Sequence, residues 1–303
     1  MDPRAILSGF LGRPRIVALR RVLDVYGQAP GGLLANGLAF TSLFAAIPTT
    51  LLVLGVGGWI ASGDAAASDR LATALAAAFP PLAELIDGAV SAISDGAALT
   101  SVLGVIGVIW TVSQIYGALD VAFARIFVGG VERNKAQRTV RGLVVVLLIG
   151  GAIVAFAVIV SVASLAEAIV PAEIPFATAV IDLVGSIPFL MALAVAAVLA
   201  TYRALPPSAP HWRSAFVPAI VAGVAILVLS QVFTALVPRL VGVAALAGPL
   251  ASAFVALAWL SFTFQVLLYG AAWVRVREEA LDASLSARPV GAAAPTEPGG
   301  RGQ

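Results

Sequence analysis

The sequence predicts an all-α, polytopic membrane protein with six transmembrane helices. Three observations support this fold class: the shortage of charge, the spacing of the charged residues and the uneven distribution of the basic ones. Of the 303 residues, 60% are hydrophobic and 11% are charged, whereas an ordinary globular chain has about 25% charged residues. So few charges cannot cover the surface of a soluble domain of this length. The composition therefore excludes a soluble globular domain, and the high hydrophobicity excludes a disordered chain.

Six stretches without a charged residue indicate where the helices lie. Each stretch has at least 20 residues, and an apolar helix needs about 20 residues to cross about 30 Å of hydrocarbon. The stretches are apolar on all sides, as is typical of helices that face lipid, and a helix satisfies its backbone polar groups internally. The predicted spans cover approximately residues 34–59, 99–119, 143–165, 183–202, 214–238 and 248–274.

The basic residues predict the orientation of these spans. Of the 18 lysines and arginines, 16 precede the first span or follow the second, fourth and sixth, and the exceptions are Arg70 and Arg239. Because positive residues accumulate on the cytoplasmic side of a membrane, both termini are expected in the cytoplasm. We therefore predict one transmembrane domain over residues 1–280, in the inner or plasma membrane.

A short amphipathic helix is predicted before the first span. Residues 15–26, RIVALRRVLDVY, place Ile16, Leu19, Leu23 and Tyr26 on one stripe and the arginines elsewhere. Such a helix is suited to lying on the anionic cytoplasmic leaflet, and it is equally suited to packing against the end of the bundle. The first apolar run is too long for a cleavable signal peptide, so we expect it to be a retained span.

Two further segments lie outside the predicted spans. In the outer loop 60–98, apolar residues recur at helical spacing on both sides of Pro80 and Pro81, which predicts two short amphipathic helices on the outer surface. The tail 281–303 is rich in proline, glycine and alanine, and we expect it to be disordered.

The second span contains the most pronounced polar stripe. Ser113, Tyr116 and Asp120 share one helical face, and Trp110 extends it by one turn; Gln114 lies beside them. Polar side chains are costly in hydrocarbon, so this face is a candidate for the lining of a transport cavity. The alternative is that these groups only form hydrogen bonds between helices.

Other spans contain isolated polar or helix-breaking residues. Asn36 and Pro48 lie in the first span, and Pro48 removes a backbone hydrogen bond, as in the kinked helices of some transporters. Gln231 in the fifth span and Gln265 in the sixth need partners if they are buried. All four are candidate cavity residues, and interhelical hydrogen bonding is again the alternative.

The sequence offers little for catalysis. There is no cysteine and only one histidine, His211, so thiolate chemistry and metal motifs with several histidines are absent. The acidic residues of the predicted cytoplasmic face are dispersed, no nucleotide-binding loop is present, and His211 is expected to be an exposed loop residue. We therefore expect no enzyme activity, no metal and no cofactor.

Four segments together resemble the YihY/BrkB family of inner-membrane proteins, which was once labelled a ribonuclease. They are NGLAFTSLFAAIPTTLLVL, GVIWTVSQIYGALDVAFARIF, TYRALPPSAPHWRSAFVPA and AGPLASAFVALAWLSFTFQVLLYGAAW. The resemblance implies six helices with cytoplasmic termini. It also marks positions at the predicted inner face as candidates for a cytoplasmic gate or interface. These are Arg125, Tyr202, Arg203, Pro206, Trp212 and Arg213.

The family resemblance and the polar stripe favour a transporter, exporter or lipid-handling protein of unknown substrate. The alternative is a membrane-embedded structural or assembly protein without transport, for which the basic loop 132–141 would hold lipid headgroups or a partner. A ribonuclease is disfavoured. The expected partners are membrane lipids and the substrate, with a second copy of the chain as an open alternative and no nucleic acid.

Overall fold

The computed structural model describes residues 14–60, 97–128, 186–244 and 249–286, together with the single positions 73, 136, 140, 143, 144, 147 and 148. Within these residues there are six long α-helices and no strand, which confirms the all-helical class. The helices are α1 (Pro14–Gln28), α2 (Gly31–Ile60), α3 (Ala97–Ile126), α4 (Ile187–Ala204), α5 (Trp212–Ala244) and α6 (Pro249–Ser286).

Five of the predicted spans coincide with α2 to α6. The predicted span 143–165, the outer helices, the basic loop 132–141 and most of the tail lie outside the described residues, although α6 continues past residue 280 to Ser286. Among the described residues, two helical segments are long and apolar enough to cross a membrane, Trp212–Leu236 and Ala253–Ser286. A bent pair, Ile16–Gln28 and Gly31–Ala46, would make a third if it is one broken span.

The chain turns sharply between α1 and α2. The two helices meet at an angle of 60°, and the carbonyl of Pro30 accepts the first backbone hydrogen bonds of α2. Helix α1 buries Val22, Val25 and Tyr26, whereas Leu19 and Leu23 of the predicted stripe are exposed. It therefore packs against the bundle and still presents an apolar edge to its surroundings.

Helix α6 is the centre of the described bundle, because it contacts each of the other five helices. Further pairs form between α2 and α3 and between α4 and α5. Large, fully buried side chains lie on four different helices, α2, α3, α4 and α6. They are Leu38, Phe123, Ile126, Tyr202, Leu268 and Val274.

Small residues allow two close approaches between helices. A Cβ atom added to Gly270 on α6 would lie 2.0 Å from the hydroxyl of Tyr202, and one added to Gly223 on α5 would lie 2.9 Å from the side chain of Val195 on α4. Helices in membranes associate largely through such close packing, because lipid tails are as apolar as the side chains themselves. The α4–α5–α6 region is therefore tightly closed.

Candidate functional site

The charged end of α6 joins several elements of the fold. The apolar part of this helix ends at Val274, and charged residues follow from Arg275 to Asp282. Side chains from this end reach α1, α3 and the loop between α4 and α5. We call Arg275, Arg277, Glu278, Glu279 and their partners the α6 junction.

Glu279 and Arg275 tie α6 to α1 and α3. The Glu279 carboxylate accepts hydrogen bonds from Arg21 of α1 at 2.7 Å and from Arg275 at 2.9 Å. Arg275 also donates to the carbonyl of Ile126, the last residue of α3. A cation stabilises a helix C-terminus, where unpaired carbonyls carry partial negative charge. Arg275 therefore donates a hydrogen bond to the last carbonyl of α3 and also orients the Glu279 carboxylate.

Glu278 ties α6 to the start of α5. Its carboxylate lies 2.6 Å from His211 Nδ1 and 3.0 Å from the His211 backbone nitrogen, which donates to it. The hydroxyl of the buried Ser214 donates to it as well. The carboxylate therefore lies between the serine and the imidazole. In a nucleophilic triad the imidazole would contact the serine directly, whereas here the Glu278 carboxylate is the partner of the serine hydroxyl.

The α4–α5 loop carries the other contacts of the junction. The buried Tyr202 at the end of α4 donates to the carbonyl of Leu267 at 2.8 Å, across 65 residues of sequence. The guanidinium of Arg203 lies 4.0 Å from the centre of a Trp212 ring, which is cation–π geometry. Pro206 is fully buried behind them.

Arg277 completes the attachment of this loop, because its guanidinium donates to the carbonyl of Arg213 at 3.1 Å. Five of the six candidate gate or interface residues therefore lie where α4, α5 and α6 are joined. They are Tyr202, Arg203, Pro206, Trp212 and Arg213. The sixth, Arg125, is exposed and lies next to Ile126 at the end of α3.

These contacts lower the pKa of both glutamates. Burial by itself raises the pKa of the Glu278 carboxyl, but the hydrogen bonds from Ser214 and His211 outweigh burial and hold that pKa below its usual value. Burial acts likewise on Glu279, and its bonds with Arg21 and Arg275 bring its pKa below the usual value. Both groups lie beyond the apolar part of α6, where the ionised form is stable.

The polar stripe of α3 is partly open. The Tyr116 hydroxyl donates to Asp120 at 3.3 Å, and both side chains are half-buried. Ser113 and Gln114 are exposed, as is Trp110, which retains 63% of its accessible surface. The C-terminal end of the stripe is therefore a bonded pair, and the side chains at its N-terminal end are exposed.

The candidates on α2 and α6 meet in one polar network. The Ser261 hydroxyl donates to Asn36, and the amide of Gln265 donates to Ser261 at 3.3 Å. Gln231 on α5 is exposed, and Pro48 is half-buried within the continuous helix α2. The structure thus brings Asn36 and Gln265 together, but Gln231 has a separate position.

A groove opens between α1, α5 and α6, with a volume of about 770 Å³. Its walls are almost entirely apolar, and Arg277 lines its end. Its apolar walls include Leu19, Leu23, Val221, Ala225, Val266 and Trp273. Leu19 and Leu23 retain 60% and 48% of their accessible surface, so the α1 wall is thin and open.

Neither the groove nor the glutamate contacts could be read from the sequence. His211 and Glu278 are 67 residues apart, and no motif joins them. The groove depends on the angle at which α1 crosses α5 and α6. The amphipathic pattern of residues 15–26 was the only sequence signal near it, because it left an apolar stripe without a defined partner.

The long apolar helices place the chain in the class of helical membrane proteins. Within that class, the chain belongs to the virulence factor BrkB family, whose family model matches residues 22–294. This membership confirms the resemblance of the four sequence segments. No curated protein and no solved structure matches the chain.

Proposed function

We propose that this BrkB-family protein is a multi-pass transporter or exporter that handles lipid-like molecules in the inner membrane, with both termini in the cytoplasm. The groove between α1, α5 and α6 is the observation that carries the proposal. Its volume of about 770 Å³ falls within the range of about 300–1,000 Å³ that is usual for small-molecule sites. The proposed activity is movement or transfer of its occupant, without enzyme chemistry.

The chemistry of the groove favours an amphipathic occupant. Its walls suit an acyl chain, because burying apolar surface is favourable by about 25 cal/mol per Å². Arg277 at the end supplies a positive charge for an anionic headgroup. The distribution of basic residues supports the orientation, because that end of α6 belongs to the basic face of the chain.

Helix α1 is suited to act as a movable wall. Its polar contact with α6 is the ion pair between Arg21 and Glu279, in which the arginine side chain is 63% exposed. Exposed pairs of this kind contribute about 0–1 kcal/mol. The stacked rings of Tyr26 and Tyr269 add an apolar contact. Displacement of α1 would therefore open the groove without disrupting the α4–α5–α6 packing.

A reconstitution experiment with a matched pair of variants tests this function. Ala18 lines the groove, whereas its neighbour Val17 is exposed and does not line it. Purified protein in liposomes should move a fluorescent anionic phospholipid faster than protein-free vesicles do. Ala18→Trp should reduce that rate several-fold because its side chain fills the groove, and Val17→Trp should leave it unchanged. Transfer equal to that of protein-free vesicles, or equal sensitivity to both substitutions, would contradict the proposal.

A structural or assembly role is the second candidate. The network of Asn36, Ser261 and Gln265 favours it, because these polar groups serve to join α2 to α6. This role predicts no lipid transfer by the wild-type protein in liposomes. It also predicts that the intact chain is recovered from membranes with a partner, which is either a second copy or another membrane protein.

A further inference from the structure

Three potential metal ligands meet beside the α4–α5 loop. The ligand atoms of His211, Glu278 and Asp282 all lie within 4.8 Å of one another. Glu278 and Asp282 are four residues apart on α6, which places their carboxylates on the same face of the helix. His211 approaches them from the loop, and His211 and Asp282 are exposed, so an ion has free access.

The spacing is close to that of a metal site. Nitrogen and oxygen ligands bind Zn²⁺ at about 2.0–2.2 Å, which separates the ligand atoms of a tetrahedral site by roughly 3.4 Å. The ligand atoms of this cluster lie at most 4.8 Å apart, which is close to that separation. The exposed side of the cluster leaves coordination positions for water.

The central carboxylate is already oriented by its surroundings. Ser214 donates to Glu278 from α5, and the backbone nitrogen of His211 donates to it from the loop. Outer hydrogen bonds of this kind fix the position of metal ligands and raise their affinity. Surface acids that lie close together by chance would not have a carboxylate oriented in this way.

We propose that His211, Glu278 and Asp282 form a binding site for a divalent transition-metal ion of the zinc type. An imidazole nitrogen with two carboxylates suits zinc and its neighbours, whereas Mg²⁺ and Ca²⁺ prefer oxygen ligands alone. The bound ion links the end of α6 to the loop that enters α5. This site is separate from the groove, and its existence does not depend on lipid transfer.

The single histidine of the chain provides a direct test. The full chain is purified in detergent without a histidine tag, with its histidine labelled by nitrogen-15, and titrated with Zn²⁺. The one set of imidazole signals should shift saturably and be complete near a single equivalent. Mg²⁺ at the same concentration should leave the signals unchanged. Imidazole signals that do not respond to Zn²⁺ would overturn the proposal.

Asp282→Asn separates a metal site from an ordinary histidine–glutamate contact. It removes one ligand from the exposed last turns of α6 and leaves His211 and Glu278 in place, so folding should be preserved. Zn²⁺ affinity, measured by calorimetry, should fall at least about tenfold, because even outer partners of metal ligands are worth about 10–100-fold. His211→Ala should have a similar or larger effect.

Asp24→Asn is the matched control, since Asp24 is an exposed carboxylate on α1 away from the cluster. It should bind Zn²⁺ as the wild-type protein does. Equal Zn²⁺ affinity in the wild-type, Asp282→Asn and His211→Ala proteins would mean adventitious binding elsewhere on the surface, and would refute the site.

Discussion

The two sides of α6 differ in how they are packed. Toward α4, the Tyr202 hydroxyl donates to Leu267 at 2.8 Å, and Gly270 has no room for a side chain. Toward α1, Tyr26 stacks on Tyr269 with ring centroids 3.7 Å apart, and the groove opens beside them. One helix therefore combines a closed interface with an open one.

This difference indicates which contacts maintain the fold and which leave room for function. The α4 side depends on a buried hydrogen bond and a direct approach to the backbone, which tolerate little displacement. The α1 side depends on stacked rings, the buried side chains of Val22 and Val25, and one exposed ion pair. The buried hydroxyl of Tyr26 has no hydrogen-bond partner among the described residues. Substitutions on the two sides should therefore have unequal effects.

Gly270→Ala should have the largest effect. The added Cβ would lie 2.0 Å from the Tyr202 hydroxyl, so the α4–α6 interface has to separate. Overpacking of this kind costs about 1–3 kcal/mol and occasionally more, and the rigid contact between α6 and the Tyr202 ring puts this variant at the upper end of that range, which thermal unfolding in detergent would detect. In a Tyr202→Phe background the clashing oxygen is gone, and a smaller loss is expected. An equal loss in both backgrounds would show that the close contact with Tyr202 does not limit this position.

Arg275→Gln should have the next largest effect and lower the free energy of unfolding by about 1–3 kcal/mol. It removes the donor to the Ile126 carbonyl and one partner of Glu279, and an unsatisfied buried acceptor costs about this much. The control is Arg21→Gln, which removes the exposed partner of the same glutamate and should cost at most about 1 kcal/mol. Equal midpoints of thermal unfolding for the two variants would contradict the role of Arg275 at the end of α3.

Tyr26→Phe should have the smallest effect, with a free energy of unfolding within about 0.5 kcal/mol of the wild-type value. Its hydroxyl is buried without a partner, so removal relieves a desolvation cost and leaves the ring stack on Tyr269 intact. Tyr202→Phe loses a real hydrogen bond and should cost about 0.6–1.5 kcal/mol. If Tyr26→Phe lowered the free energy of unfolding more than Tyr202→Phe, this would contradict the conclusion that the α4 side of α6 is the more tightly packed side.

The candidate site was predicted unevenly. The segment from Tyr202 to Arg213 was recognised through its resemblance to the family, and in the structure it comprises the end of α4, the loop 205–211 and the start of α5. Its main partners, Glu278 and Arg277, were not recognised, because the acids of that face look dispersed along the chain. The sequence interpretation treated His211 as an exposed loop residue, and it is exposed, but it also contacts Glu278.

The amino-acid sequence by itself determined the membrane-protein character, the positions of α2 to α6, and the short amphipathic helix that precedes them. These properties depend on the composition of continuous segments, because partition into lipid and helix formation are largely local sums over neighbouring residues. The groove, the joining of Asn36 to Gln265, and the meeting of His211 with Glu278 were decided only by the tertiary structure. Each of them depends on the angle and register at which distant helices pack, and no local pattern in the chain specifies those.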